Sequence, residues 1–168
     1  PLGTVSLLLL GMCVGAMLAM AAAMLRAPRP ATRWIGVAFY LSSALFAFKL
    51  WEDSTGILPN EVAFVIGMLA NSAVGWFWLL TIALFEDAKR LRPAMYAAPA
   101  LLALCALLAY VAGSPGNRIV GTMSSFAHAG LAIHAVSIVL RSWKDDLVES
   151  RRRLRGPFVI AVALYILS

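Results

Sequence analysis

Six apolar segments, separated by short charged or turn-forming connections, constrain this chain more than any other feature. The first, from Thr4 to Leu25, has 22 residues and no charged side chain. A helix that crosses the ~30 Å core of a bilayer needs about 20 such residues, because each residue advances it by about 1.5 Å. Only 13% of the 168 residues are charged, against about 25% in a soluble domain. The sequence therefore predicts an all-α, polytopic bundle of transmembrane helices.

The predicted helices cover residues 4–25, 34–51, 62–85, 93–112, 119–140 and 157–168. Glu52 and Asp53 are expected to open an acidic loop after the second helix, and Gly113 to Asn117 to form a turn before the fifth. The sixth segment offers about eleven apolar residues, which is too few to span. We therefore expect the native protein to continue past Ser168 with the rest of this helix.

Lys and Arg are unequally divided between the two sides of the predicted membrane. The connections after the first, third and fifth helices hold twelve of them, and the other side holds Lys49 and Arg118. Basic residues accumulate on the cytoplasmic side of membrane proteins. The amino terminus is therefore expected outside the cytoplasm. A seventh helix would bring the chain back into the cytoplasm.

The connection after the fifth helix, Arg141–Arg155, has nine charges in 15 residues and cannot lie in hydrocarbon. We expect the fifth helix to extend into it, with an acidic first half and a basic second half. One interpretation is an anchor at anionic lipid headgroups. The other is coupling to neighbouring connections or to a cytoplasmic domain. The coupling candidates are Glu86, Asp87, Arg90, Arg92, Asp145, Asp146, Glu149, Arg151, Arg152, Arg153 and Arg155.

Several polar side chains are predicted near the middle of the membrane. Ser42, Asn71 and His128 each lie nine residues from the outer end of their helix, which is roughly 13 Å deep. Unpaired polar groups are costly there, so we expect them to face the bundle interior and bond to one another. They form either a structural layer or the floor of a pocket for an unknown small-molecule or lipid ligand. The candidates are Ser42, Ser43, Asn71, Trp76, Ser124 and His128.

Nothing in the sequence indicates an enzyme, a cofactor or a metal site. His128 and His134 are six residues apart, about 120° around a helix, so they cannot share one metal or haem from the same helix. Motifs for phosphate binding or nucleophilic catalysis are missing. Cys13 and Cys105 lie within apolar segments and are expected to pack as small hydrophobic residues.

The first helix carries small residues at every fourth position: Gly11, Gly15, Ala19 and Ala23. Such a stripe lets another helix approach closely. Packing within one bundle is the favoured interpretation of this stripe, and a homodimer interface is the alternative.

Two charged connections resemble those of a known family. The stretches are Phe77–Asp87 with Lys89–Pro93, and Trp143 with Asp145–Glu149 and Arg151–Arg155. Together they resemble the membrane-embedded amino-terminal half of bacterial AraC-type transcription regulators. The resemblance implies a sensory domain in the bacterial inner membrane that couples a ligand or membrane signal to a cytoplasmic output domain. DNA would be bound only by that missing carboxyl-terminal helix-turn-helix domain.

Two other classes of function remain open from the residues. The chain could be the membrane module of a sensor kinase or of a cyclic-dinucleotide enzyme. It could also be a small transporter or channel subunit, although such proteins usually have broken helices and paired repeats, and no convincing internal repeat is present. The sequence beyond Ser168 would separate these classes.

Overall fold

The computed structural model describes residues 3–85 and 91–145, in which every regular element is a helix. The helices are α1 (Thr4–Met24), α2 (Pro30–Thr55), α3 (Asn60–Asn71), α4 (Ala73–Phe85), α5 (Ala97–Val111) and α6 (Gly113–Asp145), with a 3-10 turn at Pro93–Tyr96. The all-helical fold class is confirmed.

Five stretches are long and apolar enough to cross a membrane, and α3 and α4 together form one of them. They are Thr4–Met24, Pro30–Thr55, Asn60–Phe85, Pro93–Val111 and Asn117–Arg141. The predicted sixth segment, 157–168, lies outside the described residues, as does the charged run after Asp145.

Within the described residues helix α1 packs mainly against α2, and Ala21 is its one buried residue. Its surface consists of leucines and methionines, such as Leu8 and Met12, which are 65% and 71% exposed. A lipid environment removes the cost of exposing them. A Cβ added at Gly11 or Gly15 would meet nothing within 4 Å, so this part of the small-residue stripe faces away from the described chain.

Helix α2 extends one turn further than the sequence predicted. The expected acidic loop is instead its last turn, and the helix ends at Gly56, whose φ of 59° is favoured by glycine. Lys49 forms salt bridges with Glu52, at 2.9 Å, and with Asp53. Pairs three and four residues apart stabilise a helix, which explains why the acidic residues continue it rather than end it.

The predicted third helix is interrupted at Ser72. The Ser72 N–H and hydroxyl both donate to the Leu69 carbonyl, at 3.2 and 2.7 Å, so the chain makes a tighter turn there. The backbone stays right-handed, with φ −77° and ψ −9°. Serine back-bonding of this kind bends helices. The interruption directly follows Asn71, at the depth where the polar layer was expected.

The predicted turn at Gly113–Asn117 was wrong, because α6 already begins at Gly113 and Ala112 alone separates it from α5. Pro115 is the third residue of α6, where a missing N–H breaks no helical hydrogen bond. Glycine and proline that would end a helix elsewhere are therefore accommodated in this first turn.

Helix α4 is the centre of the bundle and contacts α2, α5 and α6. Ile35 of α2 packs with Leu79, Leu80 and Ala83 of α4, and Phe77 packs with Ala135 of α6. A Cβ at Gly75 would lie 2.6 Å from the Pro99 nitrogen and Cα, so α4 and α5 approach almost backbone to backbone. This central packing fixes the junction of α3 and α4 against α5 and α6.

Candidate ligand pocket

A polar cluster joins three helices at the junction of α3 and α4. The Asn71 side-chain amide donates to the Leu102 carbonyl of α5 at 2.6 Å. The same nitrogen lies 3.5 Å from the Ser124 hydroxyl of α6, at the limit of a hydrogen bond. Ser124 is buried and Asn71 is half-buried. The cluster therefore satisfies an amide that would be costly to leave unpaired in hydrocarbon.

His128 closes the cluster from α6. Its Nε2 lies 3.0 Å from the Asn71 carbonyl, and its Nδ1 lies 2.7 Å from the Ser124 carbonyl and 3.4 Å from the Ser124 hydroxyl. A neutral imidazole can donate through one nitrogen, so it satisfies one of the two carbonyls, whereas a doubly protonated ring satisfies both. His128 therefore links the α3–α4 junction to α6.

A cavity of about 190 Å³ opens beside this cluster. Besides the three polar residues just described, it is lined by Cys105, Ala106, Ala109, Val120, Gly121 and Ser125. Its volume corresponds to about six waters at ~30 Å³ each and falls below the ~300 Å³ of a drug-sized pocket. It suits a small molecule that carries hydrogen-bonding groups.

Three of the six predicted polar-layer residues are brought together, namely Asn71, Ser124 and His128. Ser42 is buried on α2, and the Ser43 hydroxyl donates to the Phe39 carbonyl of its own helix at 2.9 Å. Within the described residues, α2 contacts α1, α3 and α4 but neither α5 nor α6. Ser42 and Ser43 therefore share the depth of the cluster without reaching it.

Trp76 also lies apart from the pocket. Its ring packs edge-on against Tyr96, with centroids 6.4 Å apart, and borders the core around Ile35 and Leu79. It is a packing residue near the start of α4, and it does not line the cavity.

The acceptor on α5 was not predicted, because it is the backbone carbonyl of a residue whose side chain is apolar. Depth would have identified it: Leu102 lies nine residues past the predicted inner start of its segment at Pro93, level with Asn71. Cys105, assigned only a packing role, lines the same cavity one turn further along α5.

A second polar contact between helices was also missed. The Trp78 indole Nε1–H on α4 donates to His134 Nδ1 on α6 at 2.7 Å. The two residues lie seven and six positions from the predicted inner ends of their helices, so matched depth again identifies the pair. It fixes α4 against α6 below the pocket.

Most of the predicted cytoplasmic coupling residues lie outside the described residues. Arg92 is described and exposed, directly before the 3-10 turn that leads into α5. Helix α6 continues past Leu140 to Asp145, the first acidic residue of the predicted run.

Within the described residues, no group of three or more His, Cys, Asp and Glu side chains is placed to hold a metal ion. The sequence matches no protein-family model, no curated protein and no solved structure.

Proposed function

We propose that this chain is the membrane-embedded sensory domain of a bacterial transcription regulator, with the cavity at Asn71, Ser124 and His128 as its ligand pocket. One observation carries the proposal: the interruption of the third span and the polar contacts to α5 and α6 meet at the same point. A ligand bound there acts on this interruption and on two neighbouring helices together. The regulator class comes from the resemblance to AraC-type proteins.

The mechanism is a shift between two packing arrangements. A small polar ligand that competes for the Leu102 carbonyl or for His128 loosens the bonds that tie the α3–α4 junction to α5 and α6. Small shifts at such a site are amplified because packed helices have discrete arrangements. Helix α6 carries the movement out, since it runs without interruption from the pocket to Asp145.

The proposal is tested by transcript profiling in the organism that carries the gene. Deletion should change the expression of a defined set of genes, and chromosomal Asn71→Leu should hold that set in one state at an unchanged protein level. Ser43→Ala is the matched control, because its hydroxyl has the same depth but bonds within α2. If deletion leaves the transcript profile unchanged, the chain does not belong to a transcription regulator.

A small transporter is the second candidate, and the interrupted third span favours it. Interrupted helices with polar groups at mid-membrane form the binding sites of many transporters. The test is whether proteoliposomes take up small polar solutes. Uptake that Asn71→Leu abolishes would indicate a transporter. If the chain is a sensory domain, we expect a ligand to bind at the pocket without net transport.

A further inference from the structure

A second and larger cavity lies on the opposite side of α4. It is a groove of about 950 Å³ between α1, α2 and α4, and it shares no lining residue with the ligand pocket. In the described chain α1 runs along α2 and approaches α4 only at its end, through Met24, so the two walls stand apart over most of α2. The α1 wall is formed by Leu10, Cys13, Met17, Met20 and Met24, spaced three and four apart on one helix face.

One end of the groove is basic. Met24, Ile35 and Ala83 pack together, so the end of α1, the start of α2 and the end of α4 meet there. Arg29 lines the groove at this end. The neighbouring Arg33 is already engaged, since its Nε and Nη2 donate to the Ala27 carbonyl at 3.2 and 3.0 Å.

Arg29 is exposed, and in the described residues the salt bridges are those of Lys49 with Glu52 and Asp53. Its charge is therefore available to an anion at the mouth of an otherwise apolar groove. By the distribution of basic residues, this end faces the cytoplasmic leaflet, which is rich in anionic lipids.

The volume of the groove matches the acyl chains of one lipid, and the other candidate occupant is the chain's own apolar segment, 157–168. If each chain carbon takes the ~30 Å³ of a liquid water, two acyl chains of about 16 carbons need roughly 1,000 Å³.

The length of the α4 wall agrees with a lipid in one leaflet. The α4 wall extends from Ala73 to Phe85, which is about 18 Å along the helix. One leaflet contributes about 15 Å of hydrocarbon, half of the ~30 Å core. Along α4 the groove therefore runs from the Arg29 end to about the middle of the bilayer, and along α2 it continues from Thr32 to Leu50, about 27 Å, into the opposite leaflet.

We propose that this groove is a binding site for one anionic phospholipid, with its acyl chains between α1 and α4 and its phosphate at Arg29. A zwitterionic phospholipid carries the same phosphate, but its ammonium offsets the attraction. The site therefore selects lipids by headgroup charge at Arg29 and holds them by burial against the methionine and phenylalanine side chains of the groove.

The first test compares phosphatidylglycerol with phosphatidylcholine of identical chains. The full chain is purified in detergent, delipidated and analysed by native mass spectrometry after addition of either lipid. We expect preferential retention of phosphatidylglycerol, reduced about fivefold by Arg29→Gln, the equivalent of ~1 kcal/mol per basic residue. Arg118→Gln, at the start of α6 and away from the groove, should leave the preference intact. Equal retention of both lipids, or equal effects of the two variants, would overturn the proposal.

The second test fills the groove. Met20 lines it and Leu18 does not, although both are on α1 and are 46% and 47% exposed. Met20→Trp should lower the retention of both lipids, because it occupies chain volume rather than removing charge, and Leu18→Trp should not. Unchanged retention in Met20→Trp places the lipid elsewhere.

A third measurement tests whether the apolar segment 157–168, rather than a lipid, occupies the groove. Cys13 lines the groove, so it can be tested for disulfide formation with single cysteines placed through segment 157–168, in a Cys105→Ala background. If a lipid occupies the groove, we expect no cross-link. An efficient cross-link would show that the chain's own apolar segment fills the groove and would overturn the proposal.

Discussion

Removing the Asn71 amide tests the polar cluster at its best-defined contact. Asn71→Leu keeps a side chain of similar size but removes the donor that lies 2.6 Å from the Leu102 carbonyl. The bond from His128 survives, because it uses the Asn71 backbone carbonyl. Hydrogen bonds between membrane helices contribute about 0.6 kcal/mol on average and up to about 1.7. We therefore expect a loss of about 1 kcal/mol in the free energy of unfolding.

Asn71→Asp is the sharper variant, because it has nearly the same shape. It places a carboxylate oxygen where the amide nitrogen faces the Leu102 carbonyl, so two acceptors meet at a distance that suits a donor and an acceptor. An ionised aspartate at the centre of a membrane helix costs about 3 kcal/mol. Asn71→Asp should therefore be destabilising by about 2 kcal/mol more than Asn71→Leu at neutral pH.

The measurement is reversible unfolding in mixed micelles, followed by the loss of helical circular dichroism as sodium dodecyl sulfate is added. Ser43→Ala serves as the control at the same depth and should change stability by less than the leucine variant. Equal losses for the aspartate and leucine variants would contradict the expected cost of a charged acceptor beside the Leu102 carbonyl. A loss above about 3 kcal/mol for Asn71→Leu would mean that the cluster is one cooperative network.

Three further predictions concern packing and topology. Gly75→Ala should cost about 1–3 kcal/mol in the same unfolding assay, because its Cβ meets proline backbone at 2.6 Å, whereas Gly67→Ala meets only a lysine side chain at 3.4 Å and should be nearly neutral. Trp78→Phe should cost about 1 kcal/mol, since it removes the indole donor of the α4–α6 bond; an unchanged unfolding curve would refute that bond. In intact cells, a cysteine at Thr55 should react with a membrane-impermeant maleimide and one at Arg29 should stay protected; the reverse pattern would invert the topology.

Five helices could be located from the sequence because a membrane makes length and lack of charge sufficient. The boundaries were less predictable where local signals compete. Glu52 and Asp53 were read as a loop, but their pairing with Lys49 keeps them helical. The interruption at Ser72 was not predicted either, because apolar residues continue on both sides of it and the hydroxyl that bonds back to Leu69 belongs to a single serine.

The depth of each polar residue in the membrane could be predicted from the sequence. The direction in which its side chain faces around the helix could not. Counting residues from the helix ends placed Asn71 and His128 in one layer, and the structure joins them. The same count placed Ser42 there, but α2 lies on the other side of α4 from α6. Counting along the sequence gives the depth of a residue in the membrane. Which neighbouring helix the residue faces depends on how the helices pack together.

Helix α4 relates the two cavities physically. It begins at the polar junction beside Asn71, and its face forms one wall of the apolar groove. Phe77 lines that groove and also packs against Ala135 of α6. A tilt of α4 would therefore change the pocket, the groove and the α6 contact together. If lipid in the groove favours one tilt, it must change ligand affinity at the pocket by the same factor by which the ligand changes lipid affinity. This reciprocity is the physical link between the pocket and the groove.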